Sequence, residues 1–396
     1  MNKRITLWII SLFAVTPVMA DIDQTKGNGL YGFVTQGYFK TNTNNFYGKS
    51  QSGSFDFNEI GVGAGFVLND TVSVGGLLLS RKAGNADNGS VRLDNLVFDV
   101  KALRGENSIT GVRLGRNKIP FGFYNATRDM AMTRPTLLLP QSVYHDHSRN
   151  FLINADGLEA YHERWDDESY TRFALLYEKN NGIDNPQTEI YFMGMDWPGK
   201  LNPDYATGAT FTHTFNNTKT RVAGFYGHLP TKYKPGTVDP LTSGEITTDV
   251  MWLSGMHEIM PKLTLTAEAF LPRIAYDGLG PLIPNRNVYP LGWYLQATYA
   301  HSNSLEFYGR YDQTYKDKFD KSGEKNSAAT GMPKHSFYAS DWTVGLNYFY
   351  SPSLIISAEF HRINGTAFLP RLDNPDPSMT SERWNMFGLQ ASYNFR

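Results

Sequence analysis

Phe387-Gly388-Leu389-Gln390-Ala391-Ser392-Tyr393-Asn394-Phe395, near the C-terminal end of the chain, is the stretch that decides the fold. Apolar and small polar residues alternate through it with period 2, the signature of a strand with one greasy face and one wet face. The same alternation returns at Trp342, Val344, Leu346, Tyr348 and Tyr350, at Leu263 to Leu271, and at Phe173, Leu175 and Tyr177. No segment of comparable length holds a helical period. A soluble β-sandwich alternates in the same way, so alternation alone leaves two architectures open.

Connection lengths separate them, because a membrane barrel has short turns at one end and long loops at the other. Short connections lie near Asn69-Asp70, Arg104 to Asn107, Asp166 to Glu168, Asn216 to Thr218, Met260-Pro261, Ser302-Asn303 and Ser351-Pro352. Between them lie longer polar or Gly/Pro-rich stretches near 41–54, 82–90, 118–150, 180–203, 230–245, 274–289, 316–339 and 364–382. Seven turns and eight loops join 16 strands, and the sequence predicts an all-β, transmembrane antiparallel barrel of about 16 strands, within a range of 14 to 18. The segment 188–197 also alternates; it is placed in a loop to keep the parity, and as a strand with its own partner it would raise the count to 18. Strands of about 10–12 residues suit a tilted membrane crossing. Rings near strand ends (Tyr31, Phe39, Trp165, Tyr177, Trp293, Tyr299, Trp342, Tyr350, Trp384, Tyr393) fit interfacial girdles.

Composition agrees. Of 396 residues, 14% are aromatic and only 19% charged, a balance suited to rings facing outward. The absence of cysteine excludes disulfides, thiolate metal sites and cysteine nucleophiles. A net charge of -1, with the charges interspersed, gives no basic surface for nucleic acid. Residues 1–20 read as a secretory signal peptide: Lys3 and Arg4, an apolar stretch from Ile5 to Val15, and Val18-Met19-Ala20 before Asp21. That leaves 21–396 as the barrel and moves the charge from -1 to -3. The apolar core is shorter than the roughly 20 residues of a spanning helix, which argues against a membrane anchor.

The last strand, ending Tyr393-Asn394-Phe395-Arg396, resembles the terminal signal of Gram-negative outer-membrane proteins, although the aromatic there is usually the final residue. The stretch Leu114-Gly115-Arg116-Asn117-Lys118-Ile119-Pro120-Phe121-Gly122 resembles a strand-to-loop segment of the phosphate-selective-type porin superfamily and of related gammaproteobacterial porins. Thr133-Arg134-Pro135 and Leu139 to Tyr144 resemble the latter more closely, over roughly 40 residues in all. The resemblance implies that the connection between the fifth and sixth strands, 118–150, folds into the lumen as a constriction loop. It implies also an outer-membrane channel for passive diffusion of small hydrophilic solutes or anions, set among outer-membrane lipids, and a homotrimer.

The residues suit that role. Pro120, Pro135 and Pro140 stiffen the loop, and Met130, Met132 and Leu137 to Leu139 offer it an apolar face. Its charges are Lys118, Arg128, Arg134 and Arg149 against Asp129 and Asp146, a net of +2. Positions on the wet phase of the strands include Arg113, Arg172 and Arg310, with Glu159, Glu163, Glu178, Glu268, Glu306, Asp312 and Glu359. The candidate ion path is therefore Arg113, Arg116, Lys118, Arg128, Asp129, Arg134, Arg149, Glu159, Glu268 and Glu359. A basic loop facing an acidic wall in a narrow throat predicts a weak anion preference. The competing reading for each charge is a solvated or locally paired side chain.

Catalytic signals are weak. His145-Asp146-His147 has the spacing of a two-histidine metal pair without a third ligand. His361 with Glu359, or His162 with Glu159, is the nearest thing to a hydrolase pair, and no nucleophile motif accompanies either. Gly61, Gly63 and Gly65 lie along a strand and are not a phosphate loop. No catalytic residue, metal or cofactor is assigned; the alternatives to a porin are an outer-membrane barrel enzyme (a hydrolase) or a plugged structural, adhesin-like barrel.

Overall fold

The computed structural model describes residues 28–146, 149–180 and 185–395; the signal-peptide segment and the terminal Arg396 lie outside them. Sixteen spanning strands follow in order: β1 Gly29–Thr41, β2 Ser54–Val67, β3 Val72–Ala83, β4 Asp87–Arg104, β5 Ser108–Lys118, β6 Asn154–Trp165, β7 Tyr170–Lys179 and β8 Tyr205–Phe215. The second half comprises β9 Thr220–Lys234, β10 Gly244–Met260, β11 Leu263–Asp277, β12 Leu291–Ala300, β13 Leu305–Tyr315, β14 Tyr338–Ser351, β15 Leu354–Gly365 and β16 Arg383–Phe395. Each pairs antiparallel with the next, and β1 pairs with β16 from Gly32↔Phe395 to Thr41↔Met386, which closes the barrel and leaves no open edge.

Two further strand segments, Lys200–Pro203 and Arg286–Val288, pair only with the loop-end tips of β9 and β11 and extend the wall there. The ambiguous segment near 188–197 contains a helix, α1 Pro186–Met193, capped by the Asn185 side chain on the Thr188 N–H at 3.0 Å. Its alternation was coincidental: Pro at the first turn and Gly194 in the left-handed region at its end are helix signals.

On β16 the sides are as the alternation requires. Phe387, Leu389 and Tyr393 face outward and are exposed, while Gln390 and Ser392 are buried. The apolar rows thus face away from the interior, the arrangement of a barrel in lipid and the inverse of a sandwich. Gly61 and Gly63 on β2 make room for rings on β1: a Cβ at Gly61 would overlap the Phe33 ring, and one at Gly63 the Tyr31 ring.

Three expectations need correction. The stretch 82–90 is a tight turn and not a loop, since β3 ends at Ala83 and β4 begins at Asp87. Strands reach 18 residues, longer than the expected 10–12 and than a tilted crossing needs. Tyr31, Phe39 and Trp384 are not girdle residues: all three point inward, Tyr31 against the cluster of Phe33, Leu77 and Leu79, and Phe39 and Trp384 fully buried with Phe46, Tyr47 and Leu137.

Candidate functional site

The connection 119–153 turns inward from the end of β5 and packs inside the barrel. Its first turn explains the sequence Ile119-Pro120-Phe121-Gly122. Phe121 stacks on the inward Trp252 of β10 at 3.9 Å between ring centroids, and Trp252 meets Phe270 of β11 at 4.3 Å. Gly122 has φ 60, and a Cβ there would overlap the Tyr144 hydroxyl and come within 2.8 Å of Glu268. Only glycine fits both the conformation and the space.

That space holds a docking post. Glu268 on β11 accepts four hydrogen bonds: from Tyr144 at 2.7 Å, Tyr294 at 2.5 Å, Ser254 at 2.6 Å and the Phe123 backbone N–H at 3.0 Å. A second post stands four strands further along the wall. Glu359 on β15 accepts from the Leu138 N–H at 3.1 Å and Tyr308 at 2.9 Å, and pairs with His361 at 3.0 Å. Arg310 donates to the Leu138 carbonyl at 3.1 Å, and Asn347 to that of Pro135 at 2.9 Å. Two of the carboxylates assigned to an acidic wall, Glu268 and Glu359, are therefore occupied in holding the loop.

The loop's own charges face a third side. Arg149 pairs with Asp129 at 2.5 Å, and Lys118 lies between Asp129 at 3.3 Å and Asp94 at 2.5 Å. Asp146 takes Arg81 at 2.5 Å, Arg128 at 3.3 Å and the Tyr47 hydroxyl. Arg128 also donates to the Tyr144 carbonyl at 2.6 Å; Arg134 reaches Gln390 at 3.3 Å and Glu59 at 3.9 Å. A cavity of about 10 Å³ lies among Glu59, Arg81, Arg128, Arg134, Asp146 and Arg149, no more than one water needs.

Electrostatics follow from this packing. Burial pushes the Asp146 carboxyl up, but Arg81, Arg128 and Arg149 outweigh it and hold it at about 2. The Asp129 carboxyl is held low in the same way by Arg149 and Lys118. Burial, with Arg149 beside it, lowers the Arg128 guanidinium to about 10. His145 is pushed down to about 3 by burial, with Lys316 and Arg128 adding to it, so the ring is neutral at pH 7.

Below this layer, on the turn side, Arg113 sits 3.5 Å from Asp99 and 3.6 Å from Glu159, and Arg172 pairs with Glu159 at 2.5 Å and Glu163 at 3.2 Å. Both guanidinium groups lie over the Tyr161 ring at 5.2 Å. Arg116 is misassigned as an ion-path residue: it shares the outward phase of Leu114 and forms a two-pronged pair with Asp156 at 2.6 and 2.9 Å on the outer wall. His162 also faces outward, bonded to Thr110, and is separated from the inward Glu159 by the wall itself. His361 does bridge Glu359 and Asp341, at 3.0 and 2.7 Å, but lies buried. His145 packs on Phe270 with ring centroids 5.0 Å apart, and His147 lies outside the described residues.

Sequence reading missed Glu59 and Arg81, directly opposed across β2 and β3. The inward phase of β3 also carries Leu77 and Leu79, so the row reads as apolar and hides its charge. The long apolar lining of the lumen (Phe225, Val250, Trp252, Phe270, Ile274, Tyr276) was likewise missed, because a barrel interior is expected to be polar.

No protein-family model and no curated protein sequence matches the chain. Solved structures do. OmpF of Salmonella typhi, in complex with daunomycin, superposes with a TM-score of 0.57 at 12% identity, covering 93% of this chain and 98% of that one. The outer membrane channel DcaP of Acinetobacter baumannii gives 0.55 at 12%, covering 93% and 96%. The trimer form of OmpT, an outer membrane protein of Vibrio cholerae, gives 0.56 at 11%, covering 93% and 99%. At these identities the likeness is one of fold: the chain is a porin-like, closed 16-strand barrel.

Proposed function

We propose that the protein is an outer-membrane porin, a water-filled channel through which small hydrophilic solutes and ions diffuse passively, with the 118–150 loop setting its throat. One observation carries this reading. A rigid connection is pinned inside a closed barrel by Glu268, Glu359 and the Arg81–Asp146 cluster, where a surface loop would project into water. The outward apolar rows and the fold shared with OmpF and DcaP support placement in the outer membrane, and with it export by the signal peptide.

A weak anion preference is proposed as slight, because Arg128, Arg134 and Arg149 each face a carboxylate within 2.5 to 3.9 Å. What preference they confer grows at low salt, where screening is longest. The resemblance of Leu114 to Gly122 to the phosphate-selective-type porins stays a proposal drawn from the sequence; in the structure Phe121 and Gly122 of that stretch dock the loop. A homotrimer is proposed from that resemblance and from the trimeric form of the OmpT neighbour.

The apolar packing of Phe121, Tyr144 and Leu139 inside the barrel favours one second reading, a plugged barrel with a structural role. Planar-bilayer recording of the purified protein separates the two: discrete ohmic steps support the channel, and an inserted but silent barrel supports the plug.

A further inference from the structure

A groove of about 500 Å³ opens on the outer wall, where the loop ends of β14, β15 and β16 meet the end of β1. Its lining includes Asn42, Trp342, Arg362, Asn364, Arg383 and Asn385. The strand register sets them side by side: Trp342 opposes Arg362, Arg362 opposes Asn385, and Asn364 opposes Arg383. All lie on the phase that faces lipid, opposite the inward Asp341, Ile363 and Trp384.

Two arginines on a lipid-facing wall need a partner, since an unpaired charge at an apolar boundary is costly. Among the described residues, no carboxylate pairs with Arg362 or Arg383. The neighbouring Glu382 carboxylate takes the Tyr338 hydroxyl at 2.6 Å. Asn42 receives the Asn385 backbone N–H on Oδ1 at 2.7 Å, which leaves its amide NH₂ as a donor. The groove thus offers guanidinium and amide donors, with an indole beside them, and the Glu382 carboxylate, held by Tyr338, is not part of its lining.

Directly below it, toward the middle of the wall, Val344, Phe360, Phe387 and Leu389 continue the same outward rows as exposed apolar side chains. A donor-rich cationic notch above an apolar strip has the profile of an amphiphile: phosphate above, acyl chains below. A phosphate ion from water would have no use for the strip. We propose that this groove binds the phosphorylated headgroup of an outer-leaflet lipid, the two guanidinium groups holding the phosphate oxygens. The inference rests on the barrel standing in the outer membrane with its loops outward.

Native mass spectrometry of the full-length protein tests it, with bisphosphorylated lipid A, its dephosphorylated counterpart and inorganic phosphate as separate probes. Wild type should retain the phosphorylated lipid at least roughly tenfold more tightly than Arg362→Gln/Arg383→Gln, the equivalent of one charge-assisted contact. Arg362→Lys/Arg383→Lys should keep part of the difference. Equal retention by wild type and the Gln variant overturns the proposal, as does indifference to dephosphorylation or equally tight binding of inorganic phosphate. Loss of an oligomer in the Gln variant with unchanged lipid retention would assign the groove to a second copy and also overturn it. Channel conductance, recorded on the same preparations, should be unchanged by these outward substitutions; a silent wild type refutes the porin reading without touching the lipid result.

Discussion

Replacing Glu268 by glutamine keeps the shape of the post and changes only what it offers the loop. The carboxylate serves four donors, two on each oxygen: Tyr144 and Tyr294 on Oε1, Ser254 and the Phe123 N–H on Oε2. An amide has one acceptor oxygen, so whichever way the substituted side chain turns, two donors meet an NH₂ group. Two buried hydrogen bonds to a charged acceptor are lost at roughly 1.5–3 kcal/mol each, about 3–6 kcal/mol in all. The posts at Glu359 and Asp146 remain, so the loop loosens around Phe123 and Tyr144 and stays held elsewhere. A loss of about 3 kcal/mol multiplies the undocked population more than a hundredfold. Single-channel recordings of Glu268→Gln should therefore show flicker into higher-conductance sublevels, in a barrel that retains heat-modifiable migration on gels. Conductance and noise identical to wild type, in a correctly folded variant, would refute the docking role of Glu268.

Gly122→Ala should act in the same direction. Its Cβ would overlap the Tyr144 hydroxyl in a left-handed backbone, at about 3 kcal/mol for strain plus a displaced hydrogen bond, read as the same flicker. Acidification should loosen the loop through His145: below its ordinary pKa of about 6.5 the undocked loop binds a proton that the docked ring, held at about 3, refuses. Docking is thus fully favoured above 6.5 and weakens as pH falls toward 3, by about 2 kcal/mol at pH 5; His145→Phe should abolish this pH dependence of sublevel frequency. Arg116→Gln should leave conductance and reversal potential unchanged and cost about 1 kcal/mol or less, since its pair with Asp156 is on the outer, half-exposed wall.

Strands and turns were legible because lipid imposes a strict period on each strand and the two barrel ends impose different connection lengths, whereas the inward loop was expected from the resemblance at Leu114 to Gly122 and from the loop's apolar residues. The 16 strands of the barrel follow from parity alone once 188–197 is left out. The charge layout was harder to read. Arg116 was misplaced although the alternation itself sets it on the outward phase of Leu114; its charge beside the loop suggested the lumen, and its partner Asp156 becomes visible only once β5 and β6 are in register. Glu268 and Glu359 were recognised as inward, but nothing in a strand's pattern says that an inward carboxylate is bonded to a loop more than a hundred residues earlier in the chain. Pairings such as Arg81 with Asp146 arise only when the loop is folded back on the wall.

Paired single-channel recordings of wild type and a variant lacking residues 121–148 test the central claim most directly. If the loop sets the throat, wild type conducts in discrete steps and the deletion raises unit conductance several-fold, because the narrowest section dominates the resistance. Unchanged conductance in a folded deletion variant would put the limiting section elsewhere, and a silent wild type that conducts only after deletion would make the protein a plugged barrel and not a porin.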